Sequence, residues 1–454
     1  MALKILIVAL GLTLSTYLFK KAAGTLSIRK LNLISYTFYL FILQTYIGTS
    51  LVFLGDREHY TINYILNNNT IPRTFFYVLL TAMLFPLIIV MLYKIFKIDM
   101  DDIYNNYLSD KTRTDNEQIV FYIVLGISSI SIILMIMLFA KIGYVPLLKM
   151  VFAEPGFNFK TARINISNVT IIHQYVKNIL VLSLIPVFSY ISFVYAYTTK
   201  KLRWILLFIT LLICSVFTKT YNFAKTPVIF YLFTFVIIYI MLNNGIKRKY
   251  LYIIIGFLGG LILVFYKVMG YVLEFSIHTG PISRVIFTQA GTLMYHFDFF
   301  PGHFPFLMGR SLASTILKVI GSNLTPLRSA KLIMAFYGSR SVYEGTAGVM
   351  NSLFIGEAYA NFGTIGVILS IIYVAVLFGV IYYLFTKKFR KTALNVALFG
   401  ILTSELASIT QGGFFDFVYN ANILVIILLF IFISYSSKWI SLYLEKRKVT
   451  EVKK

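Results

Sequence analysis

The chain has a single cysteine, Cys214, and it lies inside an apolar run. A disulfide framework and a thiolate metal site are therefore both excluded. Charge is scarce as well. Asp, Glu, Lys and Arg make up 13% of the 454 residues, where a soluble domain carries about a quarter. So little charge could not keep a soluble surface of this size wet. Acid is rarer than base, with 17 Asp and Glu against 41 Lys and Arg and a formal net charge of +24. The chain also has no P-loop, no glycine-rich dinucleotide turn and no serine-centred nucleophile elbow. No repeat relates its two halves, which speaks against the repeat-built transporter folds.

What fills the sequence instead is apolar: 59% of residues are hydrophobic, with 33 Tyr and 42 Phe. Aromatic rings in that abundance suit the two interfaces of a bilayer. Long apolar runs occupy Ile5–Phe19, Leu31–Leu54, Phe75–Phe96, Ile119–Ala140, Ile179–Tyr197, Trp204–Thr218, Val228–Leu242, Tyr250–Met269, Leu353–Phe385, Ala393–Ile409 and Ile423–Ile440. The pattern predicts an all-α, polytopic integral membrane protein with about eleven spans, forming one multi-span domain. The first run is as short as a signal peptide. It is followed by Lys20 and Lys21 without a small-residue cleavage site, so it reads as a retained anchor.

The basic residues orient this topology. The clusters Lys20/Lys21/Arg29/Lys30, Lys200/Lys201/Arg203, Lys247/Arg248/Lys249 and Lys387/Lys388/Arg390/Lys391 fall on alternate sides of successive spans. With those sides cytoplasmic, the N-terminus is outside and the basic C-terminal tail is inside. The net positive charge then reads as inner-loop anchoring and contact with anionic lipids, not as nucleic-acid binding.

Two outer segments remain that are more than turns, 141–177 and 271–352. The first carries Lys141, Lys149, Lys160, Arg163 and Lys177; the second carries Arg284, Arg310, Lys318, Arg328, Lys331 and Arg340. Long loops escape the inside rule, so cations are permitted there. They read either as ordinary loop charges against lipid headgroups or as a site for an anionic substrate at the outer boundary. Three features point to the second reading. Lys219 and Lys225 flank a very short outer hairpin, Phe217–Pro227, where a cation at membrane depth needs a partner. Lys267 stands near the outer end of its own span. The large loop also interleaves charge with apolar stretches, and Leu312, Thr315, Ile316 and Val319 form one face of an expected interfacial or re-entrant helix. Arginine suits phosphate because its planar fork makes bidentate hydrogen bonds. A lipid-linked pyrophosphate is the anion expected at that depth.

A second stretch runs from Tyr343 through Gly366 into the longest apolar run. On a helix, Glu357, Asn361 and Thr364 share one face, and Tyr359, Gly363, Gly366 and Ser370 share the other. An ionisable Glu at the outer end of a span is a functional candidate, as a general base or as a holder of a sugar hydroxyl. The alternative is a structural salt bridge to an outer arginine. His296, Asp298 and His303 lack a recognised metal spacing, and their aromatic neighbours suggest an interfacial segment. Gln411, Asp416 and Asn420 read as a capped turn between the last two spans.

With these residues assembled, the chain resembles the Wzy-type oligosaccharide repeat unit polymerases, the O-antigen and capsular polysaccharide polymerases of bacteria. The resemblance rests on the topology and on Gly345-Thr-Ala-Gly348 and Gly356-Glu-Ala-Tyr-Ala-Asn-Phe-Gly-Thr-Ile-Gly366. The Lys225-Thr-Pro227 hairpin is also similar, and Arg310 with Gly321 matches once an Arg–Gly spacing described in such loops. It implies a metal-independent glycosyltransferase without a cofactor. A growing glycan would leave its undecaprenyl pyrophosphate and join a new lipid-linked repeat unit. Arg284 and Arg310 would hold the pyrophosphate and Glu357 would serve the acceptor. Arg163, Lys219, Lys225, Arg328, Arg340, Tyr359 and Asn361 would complete the substrate site. The implied partners are lipid-linked oligosaccharides, membrane lipids, a chain-length regulator and a flippase. A flippase or other transporter would share the polytopic, basic character, but its midspans should carry ionisable groups, and here Glu405 is the main one. A ligase of the same broad class is chemically equivalent at this level.

Overall fold

The structure is a computed structural model that describes residues 1–98, 100–152, 154, 156–268 and 274–452. Ala153 and Pro155 in the first loop, Met269 at the end of the eighth run, and Tyr271 at the start of the large loop lie outside the described residues. Each of the eleven apolar runs forms a helix: α1 (Ala2–Ala23), α2 (Leu33–Leu54), α3 (Thr70–Ile95), α4 (Glu117–Ile142), α5 (Gln174–Thr199), α6 (Leu202–Lys219), α7 (Thr226–Leu242), α8 (Arg248–Val268), α9 (Ile355–Tyr383), α10 (Ala393–Ile409) and α11 (Ala421–Val452). Among the described residues, nine helices are long and apolar enough to cross a membrane, while α7 and α10 are apolar but 17 residues each. A 26-residue helix such as α3 reaches about 39 Å, more than the ~30 Å hydrocarbon layer. No strand occurs among the described residues. That is expected in lipid, where a helix satisfies its backbone groups internally. The protein is an all-α, polytopic membrane protein.

Local chemistry sets the helix boundaries. The Asn32 side chain accepts from Ile34 and Ser35 N–H, and Ser35 returns a bond to Asn32, a reciprocal cap that starts α2. Pro227 stands in the first turn of α7, where its missing N–H costs nothing.

The chain divides into two compact units. The first comprises residues 1–106, 272–388 and 405–420. In it α1, α2, α3 and α9 pack together, with the Phe19 ring on Phe38 at 5.1 Å and on Phe85 at 5.8 Å. The Tyr382 hydroxyl and the Asn32 amide both donate to Ala23 O, at 3.1 and 2.9 Å. The large loop contributes a helix, Gln289–Phe299, that is buried from Ala290 to Phe299. The expectation of an interfacial segment around His296 is therefore corrected. Its polar side chains Thr292, His296 and Asp298 are buried with it and find hydrogen-bond partners inside the protein. The expected face of Leu312, Thr315, Ile316 and Val319 is corrected in its extent: the helix runs only Ser314–Val319, so Leu312 lies before it, and Leu317 is the residue it buries.

The second unit comprises residues 107–271, 389–404 and 421–454. Here Glu117, at the start of α4, accepts from Lys201, from Arg203 Nη2 at 2.7 Å and from the Trp204 indole. Two buried lysines hold helix-end carbonyls. Lys177 Nζ donates to Ser167 O and Val169 O, both at 2.7 Å. Lys391 Nζ donates to the carbonyls of Tyr107, Leu108 and Asp110 at 2.8, 3.1 and 2.9 Å. Such carbonyls have no partner within their own helix and favour a cation. Burial pushes the Lys391 ammonium down to about 8.

Candidate functional site

The start of α9 is tightly constrained by geometry. The helix breaks at Phe362 (φ −134°, ψ 15°) and Gly363 (φ 61°, ψ −146°). The Gly363 conformation is open essentially only to glycine. Carbonyls freed by the break are taken by the large loop: Leu307 N–H donates to Ala360 O at 2.9 Å and Met308 N–H to Asn361 O at 3.1 Å. Asn361 is fully buried and completes the seam. Its Oδ1 accepts from Gly309 N–H at 3.1 Å, and its Nδ2 donates to Ser311 Oγ at 3.0 Å and to Glu357 O at 2.8 Å. Asn361 thus fixes the loop beside Arg310. The break also removes Thr364 from the face expected for it, and Thr364 Oγ1 meets the Tyr77 hydroxyl at 2.6 Å.

Glu357 lies in the first turn of α9 and is 5% exposed. Its Oε2 accepts from Phe415 N–H at 3.0 Å. A Cβ on Gly413 would stand 2.5 Å from that same oxygen, so only glycine leaves room for the carboxyl. Asp416 and Arg328 both act electrostatically on Glu357. Arg328 Nη2 donates to Asp416 Oδ2 at 3.1 Å, with each side chain 37% exposed. One nitrogen of the guanidinium is engaged in this way, and an arginine presents five N–H donors. The cluster therefore has a carboxyl at its floor and a cation with spare donors at its rim. Asp416 belongs to it and is not a simple turn cap, which corrects the expectation for that segment.

Close by in the chain, Ser329 Oγ meets His296 Nε2 at 3.3 Å. His296 is 1% exposed and its Nδ1 bonds Thr292 O at 2.8 Å. Burial holds its pKa down at about 4, so the ring is neutral near neutral pH. Asp298 accepts from Leu66 N–H, Asn67 N–H, Thr70 Oγ1 and the Tyr337 hydroxyl, at 2.8 to 3.0 Å. Its carboxylate thus ties the start of α3 to the large loop. His303 is exposed. Among the described residues no three His, Cys, Asp or Glu gather as a metal site.

The other expected residues are dispersed. Arg310 donates from Nε to Thr325 O at 3.1 Å and from Nη2 to Thr325 Oγ1 at 2.6 Å. Arg284 is exposed, on the π-helical turn before Gln289. Arg340 is 91% exposed and pairs with Glu344 at 3.0 Å. Tyr359 is buried and its hydroxyl accepts from Arg73 Nη1 at 3.1 Å. Arg163, Lys219 and Lys225 belong to the second unit. There Phe223, in the hairpin between α6 and α7, meets the rings of Phe157 and Phe159 at 6.0 and 5.3 Å. That contact seats the helix Phe159–Asn168, which carries Arg163, against the hairpin. Sequence reasoning missed Arg73 and Asp416 as members of polar clusters. For Arg73 the available signal was a charged residue close to the start of an otherwise apolar helix; Asp416, in a four-residue helical turn, offered none. Compared with family models, curated proteins and solved structures, the chain matches none.

Proposed function

We propose that the protein polymerises undecaprenyl-pyrophosphate-linked oligosaccharide repeat units into a bacterial surface polysaccharide, by glycosyl transfer at the outer face of the plasma membrane. The observation that carries this reading is the buried Glu357 carboxyl beneath the half-exposed Arg328, with Asp416 holding the guanidinium at one nitrogen. In the reaction, the acceptor hydroxyl oxygen bonds the anomeric carbon of the growing glycan. The bond from that carbon to the diphosphate oxygen breaks, and its electron pair leaves on the diphosphate. Glu357 takes the hydroxyl proton as general base. Arg328 offers its remaining N–H donors to the charge that develops on the leaving group. The loop seam at Asn361 also fixes the segment that carries Arg310, a further cation, through Gly309 and Ser311.

The proposed orientation has the N-terminus and the 271–352 loop outside and the C-terminus in the cytoplasm, from the alternation of basic clusters. In a Cys214→Ser background, an impermeant thiol reagent should label a Ser339→Cys variant from outside and spare Thr386→Cys. The reverse labelling would overturn the orientation. The function is tested by deleting the protein and sizing the surface glycan. Single repeats without long chains are the expected result. Complete loss of surface glycan would instead indicate a flippase or a ligase, and unchanged glycan would refute all three.

A further inference from the structure

We propose that Arg73, together with Tyr359, forms a second diphosphate site that holds the acceptor's isoprenyl diphosphate. This rests on the polymerase reading. Arg73 is the fourth residue of α3 and is half-buried. Its Nη1 donates to the Tyr359 hydroxyl at 3.1 Å, and among the described residues it forms no ion pair with a carboxylate. Beneath it the Tyr359 ring packs on Phe297 at 4.5 Å, Phe306 at 5.7 Å and Tyr77 at 5.9 Å. Folding alone gives no reason for a cation in this place. The start of a helix is its positive end, and a half-buried guanidinium bonded to one neutral hydroxyl is left short of counter-charge. An anion with several oxygens would satisfy both the charge and the remaining donors.

The reaction requires two such anions. Both substrates carry a diphosphate, but the two stand differently toward the chemistry. The donor's diphosphate is the leaving group and must lie within reach of the anomeric carbon that the acceptor hydroxyl attacks, and Arg328, in the same cluster as Glu357, is the cation available there. The acceptor's diphosphate is at the far end of its repeat unit from the attacking hydroxyl, and it is held, not cleaved. Tyr359 follows Glu357 by two residues, which places it about 200° around the axis of α9, on the other side of the helix. Arg73 and Arg328 therefore flank the same helical turns from different sides, one for each substrate.

The test is equilibrium binding of radiolabelled farnesyl diphosphate to the full-length protein in phosphatidylcholine nanodiscs. Wild type should bind two equivalents. Arg73→Gln should weaken one of them by roughly 10- to 100-fold, the loss typical of a charge-assisted bond. Arg73→Lys should recover part of it, and Tyr359→Phe should weaken the same equivalent while keeping the ring packing. Two unchanged equivalents in Arg73→Gln would overturn the proposal. So would loss of the Arg73-dependent equivalent on adding phosphatidylglycerol, because the site would then be taken by a phospholipid headgroup. The two readings fail separately. If Arg73 governs binding but deletion leaves glycan length unchanged, the site stands and the polymerase reading falls. If deletion shortens the glycan but Arg73→Gln binds and polymerises as wild type does, the site falls and the polymerase reading stands.

Discussion

Both units match their buried carboxylates with protein donors, Asp298 in the first and Glu117 in the second, but they treat cations differently. In the second unit the protein itself satisfies them. Glu117 is met by Lys201, Arg203 and Trp204, and Lys177 and Lys391 end on two and three backbone carbonyls. In the first unit Arg73 reaches a single neutral hydroxyl, and Arg328 reaches one oxygen of one carboxylate. Burial of a charge is costly unless its donors and charge are matched. Where the fold supplies the match, the residue serves stability. Where it does not, the site is built to receive something else. The difference separates structural cations from candidate binding cations more sharply than exposure does.

The largest expected effect falls on the first unit. Glu357→Gln and Arg328→Ala should each lower polymerisation by about 10²–10³-fold, as removal of a preorganised electrostatic contact does. Neither should move the thermal unfolding midpoint in detergent by more than a few degrees. A large loss of stability with activity retained would mean that the Glu357–Arg328–Asp416 cluster is a structural network like that around Glu117, and the contrast would be lost.

Next comes a pH effect confined to the first unit. Burial lowers the His296 pKa from its ordinary value near 6.5 to about 4. The unfolded chain therefore binds up to one more proton than the folded one within that window, and stability falls as the pH is lowered through it. The folded state should be unaffected above about pH 6.5 and should lose about 3 kcal/mol by pH 4 from this residue. Comparing wild type with His296→Gln isolates it from the acids that titrate in the same range. Parallel unfolding curves at pH 7 and pH 5 for the two proteins would rule it out.

The smallest effect is expected in the second unit. Lys391→Met strips the cation from three carbonyls and should cost about 1.5–3 kcal/mol, measured as a lower unfolding midpoint. Polymerisation per folded molecule should be unchanged. A specific loss of activity at full stability would move Lys391 among the functional cations.

The residues differ in how far sequence alone could place them. Eleven helices were legible because hydrocarbon forces one solution on the backbone, and a run of apolar residues states it directly. Glu357 was legible for the same reason, as an ionisable group at the end of such a run. The glycine at 363 could be read as a packing residue, but not as the point where α9 breaks. That break depends on Leu307 and Met308, more than 50 residues earlier, replacing the helical donors to Ala360 and Asn361. Arg73 and Asp416 were not legible as site members, since their partners Tyr359 and Arg328 lie 286 and 88 residues away. Nor did sequence spacing distinguish Lys177, held by its own unit, from Arg328. Hydrophobicity is a property of each residue and survives in a linear reading. The pairing of charges depends on long-range contacts, and only the tertiary structure decides which cations the protein keeps for itself.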